Sequence, residues 1–352
     1  SHCDWSSDVC SSDLIGSMLG FAVCGWLGEK VGWHFGFGAA GVGMLFGVTQ
    51  FILFRHQLGE AGKYPNKINE QTKRNYIRGV GLVVILIASV VITGMAGFWS
   101  IDPVYFAERF RDFLVVISII YFIYLLLFAG LTANEKKNVL MLLLLFIGAA
   151  AFWSGFDQSA GSLTIFTRDY VNLTFGTFTA PVSWTQFVNP LFVVMFAPFF
   201  AYLWVFLGKR NLDPNMPIKF GLGLILMALG FIVMILAVKY ALASSPVGVQ
   251  WLLLTYLLHT FGELTLSPVG LSAFSKYSPK RYLGQMMGIW FLASSLGGVL
   301  AGLLGGEATE SGLESMSPVF TELVYYCLAI AAVLIVLSFF IKGAKTDNIP
   351  DE

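Results

Sequence analysis

The chain has 352 residues, of which 57% are hydrophobic and only 12% charged, with a mean hydropathy of +0.75. That composition excludes an ordinary soluble domain and places the chain among proteins that cross a membrane several times. Its 21 Lys and Arg balance 21 Asp and Glu, so the formal charge is zero and no nucleic-acid partner is implied.

The chain opens "SHCDWSSDVCSSDL", with no starting methionine, basic region or cleavage signal. Back-translated, "DWSSDVCSSDL" resembles one reading frame of a common sequencing-library adapter. Ser1–Leu14 is therefore read as an adapter artefact, and coding sequence upstream of Ile15 is expected to be missing. A short apolar run follows at Ile15–Gly28, then runs long enough to cross the hydrocarbon core at Phe35–Phe54, Gly79–Ser100, Phe113–Leu131, Val139–Phe166 and Gln186–Leu207. Further runs lie at Phe220–Val238, Val249–Phe274, Leu283–Leu304 and Val319–Ile341. The pattern predicts an all-α polytopic membrane protein of about ten transmembrane helices, the first incomplete.

Basic residues punctuate every second loop: Arg55, Lys63, Lys67, Lys73, Arg74 and Arg78; Lys136 and Lys137; Lys209, Arg210 and Lys219; Lys276, Lys280 and Arg281; Lys342 and Lys345. These loops and the C-terminus are expected to be cytoplasmic. The intervening loops are poor in Lys and Arg, and one is acidic, with Glu307, Glu310 and Glu314. The contrast is weakest at Arg109 and Arg111, which equal Lys136 and Lys137 in number. The cysteines suggest no disulfide framework, because Cys24 and Cys327 sit in apolar runs and Cys3 and Cys10 in the anomalous start.

Strongly polar groups inside the spans are few: Asp157 with Gln158, Asn189, and His259 with Glu263. A carboxylate at the bilayer centre costs roughly 3 kcal/mol, so each is either paired structurally or in use. Asp157 lies in "FWSGFDQSAGSLTIF" one turn after Trp153, which puts an aromatic wall beside the acid. Asn189 directly precedes Pro190, with Pro198 beyond, so a kinked helix is expected there. Asn189 either satisfies the kink or faces a cavity and donates to a substrate carbonyl. In "HTFGELTLSPVGLSAF", Glu263 and Ser267 share a face beside Pro268, flanked by Gly262 and Gly270. A carboxylate next to a hydroxyl and a weakened helix suits a cationic group bound at a discontinuous helix. His259, one turn earlier, is either the partner of Glu263 or a satisfied core residue. Trp290 is another aromatic inside a span, and Gly298 and Gly302 after it have the spacing of a helix-packing contact. No HExxH, Walker A, GxSxG or Cys/His metal spacing is present, so no enzyme activity, cofactor or metal is expected.

At these residues the chain resembles the proton-dependent oligopeptide transporter family of the major facilitator superfamily, in its prokaryotic form. "IGSMLGFAVCGWLGEKVGWHFGFGAAGVGM" resembles the family's fifth and sixth helices, "FWSGFDQ" its seventh, "FVNPLF" its eighth, "GELTLSPVGLS" its tenth and "GIWFLASS" its eleventh. The resemblance implies an incomplete major facilitator fold. Residues 15–54 would be the last two helices of the N-terminal bundle, 55–78 a cytoplasmic linker, and 79–131 an inserted transmembrane hairpin. Residues 138–341 would form a complete C-terminal six-helix bundle, and 342–352 a cytoplasmic tail.

The implied activity is proton-coupled symport of di- and tripeptides across the bacterial inner membrane, with protons and the lipid bilayer as the other partners. Glu263 would receive the peptide amino terminus, with Ser267 beside it. Asn189 would contact the peptide, and Trp153 and Trp290 would be pocket aromatics. Asp157 stands where the family usually has glutamate and would serve proton coupling. The family's first-helix ExxER motif is not in this chain. A facilitator for another small solute, such as a drug-like amine or nitrate, and a non-transporting assembly subunit or sensor remain alternatives.

Overall fold

The computed structural model describes residues 13–59, 70–97, 100, 102–310 and 312–340. Most of the adapter-like start, Lys63 and Lys67 of the linker, and the tail with Lys342 and Lys345 lie outside the described residues. Residues 13 and 14, the first described, are already helical. The helices, in chain order, are α1 (13–30, with a π-helical stretch at Gly20–Gly25), α2 (Trp33–Phe54), α3 (Glu70–Met95), α4 (Pro103–Leu127), α5 (Ala133–Phe156), α6 (Ser162–Tyr170), α7 (Val188–Lys209), α8 (Met216–Ala243), α9 (Gln250–Tyr277), α10 (Leu283–Glu310) and α11 (Leu313–Phe340). Helix is the expected solution for such apolar runs, because in hydrocarbon every backbone donor and acceptor must be met within the segment. Among the described residues the strand content is confined to two-residue pairs: Val171 is in parallel register with Val247, and Thr174 faces Thr179 in an antiparallel pair.

Among the described residues, eight helical segments are long and apolar enough to cross a membrane. Two of the expected spans fall outside that set. One is α1. The other is α9, whose 28 residues carry His259, Thr260, Glu263, Thr265 and Ser267. Polar residues concentrate in this buried helix, which dilutes its apolar character.

The chain divides into two units, Ser1–Gly36 with Ala107–Glu352, and Phe37–Phe106. In the second, the described apolar side chains of α2 and α3 are largely exposed, as in Phe46, Leu82 and Ile85. In the first, α5, α8, α9, α10 and α11 surround a continuous core that includes Phe152, Phe220, Phe231, Phe274 and Phe320. Local signals set the helix starts. Thr132 and Glu135 form a reciprocal capping box at α5, and Asn215 accepts from Ile218 N at 3.1 Å to start α8. On α4, Tyr121 Oη donates to Gln285 Oε1 of α10 at 2.9 Å.

Two expected spans change helix type along their length. The run Val139–Phe166 breaks into α5, a 3-10 turn at Asp157–Ser159, and α6. The run from Gln186 is entered through a second 3-10 turn, Val182–Phe187, and α7 starts only at Val188. Pro190 therefore sits in the first turn of α7, where its missing N–H opens no gap, and only Pro198 lies inside the helix. The kink expected at Asn189–Pro190 is instead a junction between two helix types. The discontinuity expected near Pro268 is also absent, since α9 runs unbroken from Gln250 to Tyr277.

Candidate functional site

The two 3-10 turns and the middle of α9 bring most of the sequence-predicted residues to two places. At the first, Asn189 in the opening turn of α7 reaches α9. Its Nδ2 donates to Glu263 Oε2 and to Thr260 Oγ1, each at 3.0 Å. Thr260 can accept because its own proton goes to Tyr256 O at 2.7 Å. This uses the amide donor that was expected to meet a substrate carbonyl. What remains free is an acceptor set: Glu263 Oε1 and Asn189 Oδ1 have no bonded partner among the described residues. Two oxygens, one of them charged, suit an ammonium donor. Ser267, one turn beyond Glu263, is half-buried and makes no side-chain hydrogen bond among the described residues. Thr260 had a sequence signal that went unread, since it stands three residues before Glu263 and so shares its face.

His259 is not the partner of Glu263. It is 1% exposed, its ring lies 4.9 Å from that of Phe231 on α8, and its Nε2 has no hydrogen-bond partner among the described residues. Gly262, expected to loosen the helix, instead allows close packing, because a Cβ there would come within 2.8 Å of Gly223 O.

The second place is the break after α5. Asp157 caps the helix, its backbone N–H donating back to Gly155 O and Trp153 O. Its carboxylate has no bonded partner among the described residues. It lines a cleft of about 490 Å³ with Ala160, Gly161, Gly298, Ala301 and Gly302. Gly298 and Gly302 do not pack a helix as their spacing predicts. A Cβ on Gly298 would meet only Asp157 Oδ2 at 3.2 Å, and one on Gly302 would meet nothing within 4 Å. The close contact is one residue earlier: a Cβ on Gly297 would lie 2.5 Å from Trp153 Cβ and 2.9 Å from Ala150 O. Gln158, fully buried, braces the break by donating to Ala301 O at 3.0 Å and accepting from Ser162 Oγ at 2.7 Å.

Trp153 lies on α5 one turn before Asp157, edge-on to Phe156 at 5.2 Å, and its Nε1 has no partner among the described residues. Trp290 is elsewhere. It is 5% exposed in the core, 5.5 Å from the Phe274 ring and 6.5 Å from Phe220, and fills the space left by Gly270. The sequence reading also missed Gln186. Its Nε2 donates to Thr164 Oγ1 at 2.8 Å and to Ser159 O, tying the turn before α7 to the turn after Asp157. A glutamine at a span edge carries no pattern that distinguishes it from a solvated one. Among the described residues no three His, Cys, Asp or Glu side chains converge as metal ligands would.

The family profile described as PTR2, POT family, matches residues 11–313. The chain is similar to "Peptide transporter YePEPT" of Yersinia enterocolitica subsp. palearctica, at 36% identity over 334 residues, covering 92% of this chain and 65% of that protein. It is also similar to a "Di-/tripeptide transporter" of Lactococcus lactis subsp. cremoris, at 33% identity over 291 residues, covering 80% of this chain and 57% of the relative. Among solved structures, a peptide transporter POT in complex with sulfate superposes with a TM-score of 0.83 at 32% identity, covering 96% of this chain and 68% of that one. The chain thus spans less than two thirds of the length of these curated relatives.

Proposed function

We propose, from the premise that this chain belongs to the POT family, that it is the greater part of a proton-coupled symporter of di- and tripeptides. The observation that carries the reading is the Asn189–Glu263–Thr260 cluster, which presents one free carboxylate oxygen from a helix buried in a membrane bundle. A peptide's ammonium group is the cation that such an acceptor set would take. Dipeptides share charged termini and an amide at fixed spacing, so a site that reads those features is selective for length and tolerant of side chain.

Asp157 is assigned to proton coupling, because its carboxylate lies unpaired in a cleft at a helix break. Its one-methylene shortening relative to glutamate limits its reach. Trp153 and Ser267 are assigned to the walls of the peptide site. Trp290 is assigned a supporting place behind it, through Phe274 and Gly270.

The chain is a multi-pass membrane protein, and we assign it to the bacterial inner membrane with a cytoplasmic C-terminus, on the alternation of basic loops. Residues 55–78 would be the linker and 79–131 an inserted hairpin ahead of the six-helix bundle of 138–341. Nothing in the cluster favours nitrate, whose negative charge Glu263 would repel. The test is uptake into proteoliposomes of the full-length carrier under an imposed pH gradient. Accumulation competed by dialanine but not by free alanine is expected, and gradient-independent or alanine-sensitive uptake would overturn the assignment.

A further inference from the structure

We infer that Glu29 is a positioning residue for Glu263, acting through the Val182–Phe187 turn and Asn189; this rests on the reading of Glu263 as the acceptor of the peptide amino terminus. Glu29 lies at the end of α1, 153 residues before its contacts. Its Oε2 accepts from Val182 N at 2.8 Å and its Oε1 from Ser183 N at 2.7 Å. The first N–H groups of a helical turn have no acceptor within it, and a carboxylate engaging both with separate oxygens holds the turn in position and direction. A third tie from the same helix is the Trp184 Nε1 donation to Ala22 O at 3.2 Å.

The turn passes into α7 without a break, since Val188 keeps helical dihedrals. Asn189 is thus two residues from the end of the segment that Glu29 holds. On its other side the segment is anchored by Gln186 to Thr164 and Ser159. The rotation of this short rigid segment sets where Asn189 Nδ2 points. Asn189 in turn engages one oxygen of Glu263 and leaves the other without a bonded partner among the described residues. Glu29 itself is exposed, so its removal leaves no buried charge and the loss should be local.

The test uses the full-length carrier in nanodiscs, with deuterium exchange over residues 182–189 and binding of dialanine and N-acetyl-dialanine measured in parallel. Glu29→Ala should speed exchange in that segment and weaken dialanine by about 5-fold, the size expected for losing a capping carboxylate. N-acetyl-dialanine, which brings no ammonium, should change less than about 2-fold. Glu29→Gln retains one acceptor oxygen and should restore part of the preference for the free amino terminus; it also serves if the alanine variant folds poorly. Equal weakening of both ligands, or faster exchange with the dialanine preference intact, would reduce Glu29 to a cap without influence on the site and overturn the inference. A wild type with no preference for the free terminus would instead remove the reading of Glu263, and this inference with it.

Discussion

Asn189 Nδ2 stands 3.0 Å from Glu263 Oε2 across two helices, and the same amide reaches Thr260 Oγ1 at 3.0 Å, so a carboxylate and a carboxamide 74 residues apart form one polar unit inside an apolar bundle. Neither group is a free-standing ligand for a solute. The amide satisfies one oxygen of the carboxylate and leaves the other without a bonded partner among the described residues.

Because the pair acts as a unit, Glu263→Gln and Asn189→Ala should each weaken peptides with a free amino terminus by roughly 10-fold, as expected for losing a charge-assisted hydrogen bond. The double variant should lose much less than the product of the two. A double-mutant cycle on binding should return a coupling of about 1–2 kcal/mol. Peptides blocked at the amino terminus should lose little from either change, and strictly additive losses would show that the two groups act independently.

Asp157→Asn fixes the neutral form of the acid in the cleft. It should abolish accumulation driven by a pH gradient while sparing exchange of peptide for peptide, which needs no net proton movement. Both assays on one reconstituted preparation decide the matter. Retained concentrative uptake would move the proton to another group.

The glycines of α10 should separate sharply by position. Gly297→Ala forces a methyl to 2.5 Å from Trp153 Cβ and should lower stability by about 1–3 kcal/mol, seen as an earlier thermal unfolding midpoint. Gly302→Ala meets nothing within 4 Å and should stay within about 0.5 kcal/mol of the parent. Gly298→Ala is expected to leave the midpoint close to the parent but to crowd Asp157 Oδ2 at 3.2 Å, so its effect should appear in proton-driven uptake.

The orientation has its own test. A single cysteine replacing Gln71 at the start of α3, in an otherwise cysteine-free full-length carrier, should resist a membrane-impermeant thiol reagent in intact cells and react after lysis. Rapid labelling before lysis would reverse the topology.

Much of the candidate site was legible because ionisable groups are rare in apolar runs, so Asp157 and Glu263 marked themselves as candidates by their cost. Asn189 was legible for a weaker reason, its place before a proline, and the expected kink there was replaced by a junction of helix types. His259 and Glu263 are one turn apart on α9, and spacing alone allowed them to pair. Close packing of α8 at Phe231 decided otherwise for His259.

By itself the sequence determined that the chain is helical, membrane-embedded and built around a few buried polar residues, because apolar run length and the cost of burying charge are local quantities that a linear pattern records. Which side of each helix faces which neighbour was decided only by tertiary structure. Glu29 meeting Val182, Asn189 meeting Glu263, Gln158 bracing α10, and Trp290 lodged against Gly270 all join positions far apart in the chain. Helical periodicity names a face but not its partner. That choice depends on the relative rotation of packed helices, which is set by the summed fit of many side chains and carried by none of them alone.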